Sequence, residues 1–145
     1  MKFTLSTKGF NDVIDITGQV SKAVEETGQK EGICLISCPG STCGITTIEY
    51  EEGVIKDLKV ALERIAPMNQ DYEHCRKWPT SPKTASRGGG DCNGYAHVRS
   101  ALIQPFLTVP IENGKLALGQ WQNIIFIDFD NRPREREMVV NIIGN

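Results

Sequence analysis

Phe106-Leu107-Thr108-Val109-Pro110-Ile111-Glu112-Asn113-Gly114-Lys115-Leu116-Ala117-Leu118 is the stretch that decides the fold class. Asn113-Gly114 is the strongest short hairpin signal, because a two-residue type I′ turn needs positive φ at both central residues. In that turn Glu112 faces Lys115, an opposite-charge pair that supports the register. Pro110 has no N–H to donate, so it requires a sheet edge or an outward-facing position. Downstream, Trp121 to Asp130 and Glu135 to Ile143 read as a second hairpin around Asn131-Arg132-Pro133. Ile125, Ile127 and Phe129 share one face of the first arm, and Ile124 and Phe126 take the other. Such a strand must be covered on both sides, by a second sheet or by another subunit.

Upstream, Lys2 to Thr7 alternates as a half-buried strand. Val13, Ile14 and Ile16 lead to Thr17, a helix cap candidate; Val20, Ala23 and Val24 form a short stripe that Gly28 ends. Ile33 to Cys38 is a strand closed by Pro39-Gly40, and the β-branched run Ile45 to Tyr50 is the next. Val54, Leu58, Ala61, Leu62 and Ile65 repeat at helical spacing up to Pro67 and predict a core-facing stripe. Residues 67 to 92 lack periodicity and carry Pro79, Pro82 and Gly88-Gly89-Gly90, the mark of a functional or locally disordered loop. Asn93 to Ile103 follows as a short helix, with Ala96, Leu102 and Ile103 available to pack. The class is α+β: a mainly antiparallel β-sandwich with two to three helices, in one domain over residues 1–145.

The 145 residues are 39% hydrophobic and 23% charged, an ordinary globular composition. A net charge of −2 argues against a nucleic-acid module that relies on bulk charge. No apolar run is long enough to span a bilayer, and the N-terminus lacks the apolar region of a signal peptide. A cytoplasmic protein without membrane partners is expected. Five cysteines at irregular spacing make a poor disulfide framework, and without a CxxC pair a zinc knuckle is not indicated. Cys34 and Cys38 read as small buried hydrophobes.

Chemistry centres on two histidines. His74 opens the irregular loop, and His97 lies one helical turn after Asn93, so the two share a helix face. Asp91 precedes that helix, as a cap or a cation ligand. Two imidazoles, a carboxylate and an open position for water suit zinc or a similar divalent ion. The plainer alternative makes His97 a core residue, His74 a loop residue and Asp91 a cap. Pro39-Gly40-Ser41-Thr42-Cys43-Gly44 is either an ordinary turn or an anion-binding one. Arg134 and Arg136 share a face if their strand starts early, as either a phosphate-binding pair or a solvated hairpin end.

These segments resemble the YjbQ-like family, small proteins credited with a secondary thiamine-phosphate synthase activity. The matching stretches are Gly40 to Glu49, Tyr72-Glu73-His74, Asp91 to Leu102, the long run Leu107 to Gln122, and the ending from Asp128 through Arg134 and Val139 to Gly144. The resemblance implies an α+β sandwich that assembles as a homotrimer, with the polar motif residues at a cleft. It also implies a reaction joining a pyrimidine pyrophosphate to a thiazole phosphate with release of pyrophosphate. His74, His97, Asp91 and Glu49 would then hold a divalent metal, zinc or magnesium, or relay protons. Ser41, Thr42, Asn93 and Arg134 would hold the small phosphorylated heteroaromatic substrates, and Trp121 would stack on a ring. Many relatives carry a histidine at the position of Gly40, so a three-histidine site cannot be copied across whole. A non-catalytic trimeric module that binds a metal or phosphometabolite, and a metal-assisted hydrolase, remain competing readings.

Overall fold

A computed structural model describes residues 1–76 and 92–144. Its elements are β1 (Lys2–Thr7), β2 (Asp12–Asp15), α1 (Thr17–Thr27), β3 (Gly32–Ser37), β4 (Cys43–Ile48), α2 (Glu52–Ile65), α3 (Glu73–Arg76), α4 (Gly94–Leu102), β5 (Phe106–Glu112), β6 (Lys115–Leu116), β7 (Asn123–Asp128) and β8 (Arg134–Gly144). Two antiparallel sheets form, one ordered β1-β8-β3-β5-β6 and one ordered β2-β7-β4. The α+β sandwich expected from the sequence is the fold.

The Asn113-Gly114 turn is as the sequence dictates: both residues have positive φ, at 53° and 79°, and Glu112 pairs with Lys115. β6 ends at Leu116, so the exposed Pro110 lies beside the sheet margin, where its missing N–H is tolerated. Gly28 ends α1 in the left-handed conformation at φ 68°. Thr17 differs from expectation. It is the first helical residue rather than a cap, and its Oγ1 donates to Asp15 Oδ1 and accepts from the Ile124 N–H.

The second hairpin does not form. β7 pairs with β2 and β4, whereas β8 pairs with β1 and β3, so residues 129–133 cross from one sheet to the other. The reason lies in the two-faced apolar character of β7. Ile124 and Phe126 pack into the core between the sheets with Ile36, Met138 and Val140. Ile125, Ile127 and Phe129 pack outward under α2 and α4 with Leu62, Tyr95 and Ala96. One chain thus covers both faces, and the strand makes no case for a second subunit. The outer face of the larger sheet is different: Ile33 stands opposite Ile143 and Pro110, and the two isoleucines are 41% and 59% exposed.

On the helices the apolar expectations hold in part, through Leu58, Leu62, Ala96 and Ile103. Of the α2 stripe only Leu62 is buried, while Ala61 and Ile65 are exposed, because α2 touches the small sheet with one edge only. On α4, Leu102 is exposed and Ile103 half-buried; the buried side chains are Tyr95, Ala96, Arg99 and Ser100. Arg99 is satisfied without solvent, bonding the Ala66 carbonyl, Asn11 Oδ1 and Glu63, and stacking over Tyr95. It ties the C-terminus of α2 to α4 and so fixes the helix that carries His97.

Candidate functional site

The imidazoles of His74 and His97 meet edge to face, with centroids 4.6 Å apart and planes inclined at 62°. They come from α3 and α4, short helices separated by seventeen residues of chain. Gly94 sets how closely those helices pack. A Cβ there would fall 2.5 Å from the Tyr72 Cβ, so only glycine admits this contact. A disulfide between Cys75 and Cys92 joins the residue after His74 to the residue before Asn93. Cysteine spacing alone indicates no disulfide framework, yet the folded chain holds this bridge. Odd count and irregular spacing conceal a single bridge between residues that only the folded chain brings together. Cys34, Cys38 and Cys43 are free and buried, and burial pushes the Cys34 thiol up to about 11.

Burial and the neighbouring His74 lower the proton affinity of His97, against the opposing pull of Asp130 and a hydrogen bond with the Ser41 backbone. A neutral imidazole keeps a lone pair for a cation or for accepting a proton. Asn93, buried on the same helix face, donates from Nδ2 to Asp130 Oδ1 at 3.0 Å. That bond fixes the amide orientation and leaves its Oδ1 without a partner among the described residues.

Beneath this pair lies a buried ionic cluster that the sequence reading did not find. β8 starts at Arg134, as the shared-face reading required, and its alternation turns Arg134 and Arg136 inward with Met138 and Val140. Arg136 makes two bonds to Asp128, at 2.7 and 2.8 Å, and a third to Thr42 Oγ1 at 2.9 Å. Arg134 bonds Asp130 through Nε at 2.7 Å. Thr7 Oγ1 donates to Asp128 Oδ2 at 2.6 Å. The Arg-x-Arg spacing was legible; the carboxylate partners were not, because Asp128 ends a strand of the other sheet and Asp130 lies just beyond it.

The predicted residues therefore divide. His74, His97, Asn93, Ser41, Thr42 and Arg134 gather where α4, the 38–42 turn and the start of β8 converge. Within that group Thr42 already bonds Arg136 and Asp130, Arg134 bonds Asp130, and only Ser41 is exposed in the turn. Glu49 and Trp121 lie elsewhere. Thr42 is just before β4 and Glu49 just after it, about 20 Å apart along six extended residues. Trp121 precedes β7 at that same far end and is 65% exposed. Within one chain neither reaches the histidines. Asp91 lies outside the described residues. Among the described residues no group of three His, Cys, Asp or Glu side chains could hold a metal ion. The two imidazoles, one held neutral, suit a divalent ion as a partial donor set that needs a further ligand.

A family model described as UPF0047 protein YjbQ-like matches residues 1–145. The chain belongs to the UPF0047, YjbQ-like family. A UPF0047 protein of Archaeoglobus fulgidus is 34% identical over 143 residues, covering 99% of this chain and 100% of its own. The UPF0047 protein YugU of Bacillus subtilis is 31% identical over 141 residues, covering 97% and 96%. Among solved structures, a YbjQ-like protein of unknown function from Sulfolobus solfataricus superposes with a TM-score of 0.87 at 30% identity, covering 100% of this chain and 96% of that one. An uncharacterized UPF0047 protein of Clostridium acetobutylicum gives 0.82 at 35% identity, covering 99% of both. The UPF0047 sandwich is thus common to this chain and its relatives. No helix among the described residues is long and apolar enough to cross a membrane.

Proposed function

We propose that this protein is a divalent-cation-dependent transferase resembling thiamine-phosphate synthase, joining a pyrimidine pyrophosphate to a thiazole phosphate. The observation that carries the reading is the His74–His97 ring pair beside Asp130, Asn93 and Ser41. His74 and His97 would hold the cation, zinc or magnesium, with Asp91 or water completing the set. When bound, the ion neutralises charge on a leaving pyrophosphate. Arg134, a third of whose side chain is exposed, and Ser41 face the solvent and would orient phosphate oxygens. His97, kept neutral by burial, would offer the cation the lone pair of the ring nitrogen that is not engaged by the Ser41 backbone.

The deciding assay supplies both phosphorylated precursors, with and without EDTA, beside His97→Ala. Product that depends on the cation and on His97 supports the transferase. Equal product in all samples removes these residues from the reaction. A second reading, a module that binds a phosphorylated metabolite without turnover, draws on the distance of Glu49 and Trp121 from the histidines. Absence of product in every sample favours it.

We also propose assembly as a cytoplasmic homotrimer. Support comes from the uncovered apolar face around Ile33, Ile143 and Phe106, since a contiguous exposed apolar patch marks an interaction surface. The number three follows from the family resemblance.

A further inference from the structure

We propose that the Cys75–Cys92 disulfide is a reversible brace that positions His74 against His97, so that the redox state of this bond controls the histidine pair. The inference rests on the reading of those histidines as the site and adds its regulation. His74 is held at two points. Before it, Tyr72 seats on Gly94 with no room for a Cβ, and its hydroxyl donates to the Pro67 carbonyl at 2.8 Å. After it, the next residue is bonded to Cys92, immediately ahead of the helix that carries His97. Among the described residues the ring contact with His97 is what orients His74 along this short helix, and the bridge supplies the second anchor.

The bridge is also placed for exchange. Cys92 is exposed and Cys75 half-buried, whereas Cys34, Cys38 and Cys43 are buried. A thiolate of a small dithiol or of glutathione attacks the exposed Cys92 sulfur and forms a mixed disulfide. The Cys75 sulfur leaves with the bonding electron pair and takes a proton. A second thiol then attacks the mixed disulfide, which releases Cys92 as a thiol and the reductant as its disulfide. Two thiols are oxidised and one protein disulfide is reduced. Bridges that respond in this way are the expected kind where the surroundings are reducing.

The test compares oxidised protein, protein reduced with dithiothreitol, and the double variant Cys75→Ser, Cys92→Ser. Thiol titration under denaturing conditions is expected to find three thiols in the oxidised protein and five after reduction. The nuclear Overhauser contact between the two imidazoles should be present in the oxidised protein. It should be lost on reduction, recovered on reoxidation with oxidised glutathione, and absent from the serine variant, while β7 and β8 amide signals stay in place. Zinc affinity by calorimetry should fall at least tenfold in the serine variant, which lacks the thiolates that would themselves bind zinc in reduced protein. Five thiols even after treatment with oxidised glutathione, or the same imidazole contact in all three samples, would overturn the brace. Zinc binding absent from every sample, with an imidazole contact that still follows the redox state, upholds the brace and refutes the cation reading instead.

Discussion

Arg136 and Asp128 bridge the two sheets: the guanidinium on β8 makes paired bonds of 2.7 and 2.8 Å to the carboxylate on β7, and the side chains are 10% and 0% exposed. The pair lies where the sandwich opens toward His97, and its third bond, to Thr42, fixes the 38–42 turn. Geometry this close, with Thr7 satisfying a further acceptor site, is what a buried ion pair requires.

Asp128→Ala should therefore destabilise the fold by about 3–5 kcal/mol, because it leaves a buried guanidinium unpaired. Urea unfolding measures this. A loss below about 1 kcal/mol, the range of surface pairs, would show that water reaches Arg136.

Acid sensitivity should depend on Asp130. Burial by itself would raise its carboxyl pKa, but bonds from Asn93, Arg134 and the Asn131 N–H, with the Arg134 charge, outweigh burial and hold it below the ordinary value. The folded state thus binds this proton more weakly than the unfolded state. Its stabilising contribution is complete above the unfolded value of about 3.9 and disappears as pH falls through the lower folded value. Stability measured from pH 5 to pH 2 should fall less steeply in Asp130→Asn. Identical slopes would contradict the assignment.

Cation retention should vanish in the double variant His74→Ala, His97→Ala while the circular dichroism spectrum is kept, since both rings are half-buried and outside the two apolar clusters. Full metal occupancy in that variant would remove the histidine site.

Gly40→His tests the departure from the family pattern. The backbone at Gly40 does not have positive φ, and an added Cβ would sit 3.3 Å from Arg136 Nη1 and Cys43 Sγ, both ends of side chains. Arg136 is held by Asp128 and Thr42 and Cys43 is buried, so the substitution is expected to cost some stability while raising cation affinity. Affinity equal to that of the parent would show that position 40 does not reach the histidine pair.

Light scattering should report three chains' mass, and Ile33→Lys should shift it toward one. Ile33 is at the centre of the exposed face, paired with Ile143 on one side and Pro110 on the other. A monomer at working concentration would refute the trimer.

Much of the architecture was written locally. The turn at Asn113-Gly114, the stop at Gly28, the alternation of β1 and the extent of α4 each depend on residues a few positions apart, so pattern and turn chemistry sufficed to read them. The site was half legible in the same way: His97 and Asn93 one helical turn apart, and Arg134 and Arg136 on one strand face. What the tertiary structure alone decided is every pairing across the chain. β7 and β8 look like neighbours in a hairpin, yet they join different sheets, because β7 has apolar side chains on both faces and is most fully covered between a second sheet and the helices. That crossing brings Asp128 under Arg136, the length of β4 separates Glu49 and Trp121 from the histidines, and the packing of Tyr72 on Gly94 brings Cys75 beside Cys92. Periodicity records which face of an element is apolar; it carries no record of which distant element will cover that face, and burial of the whole core makes that choice.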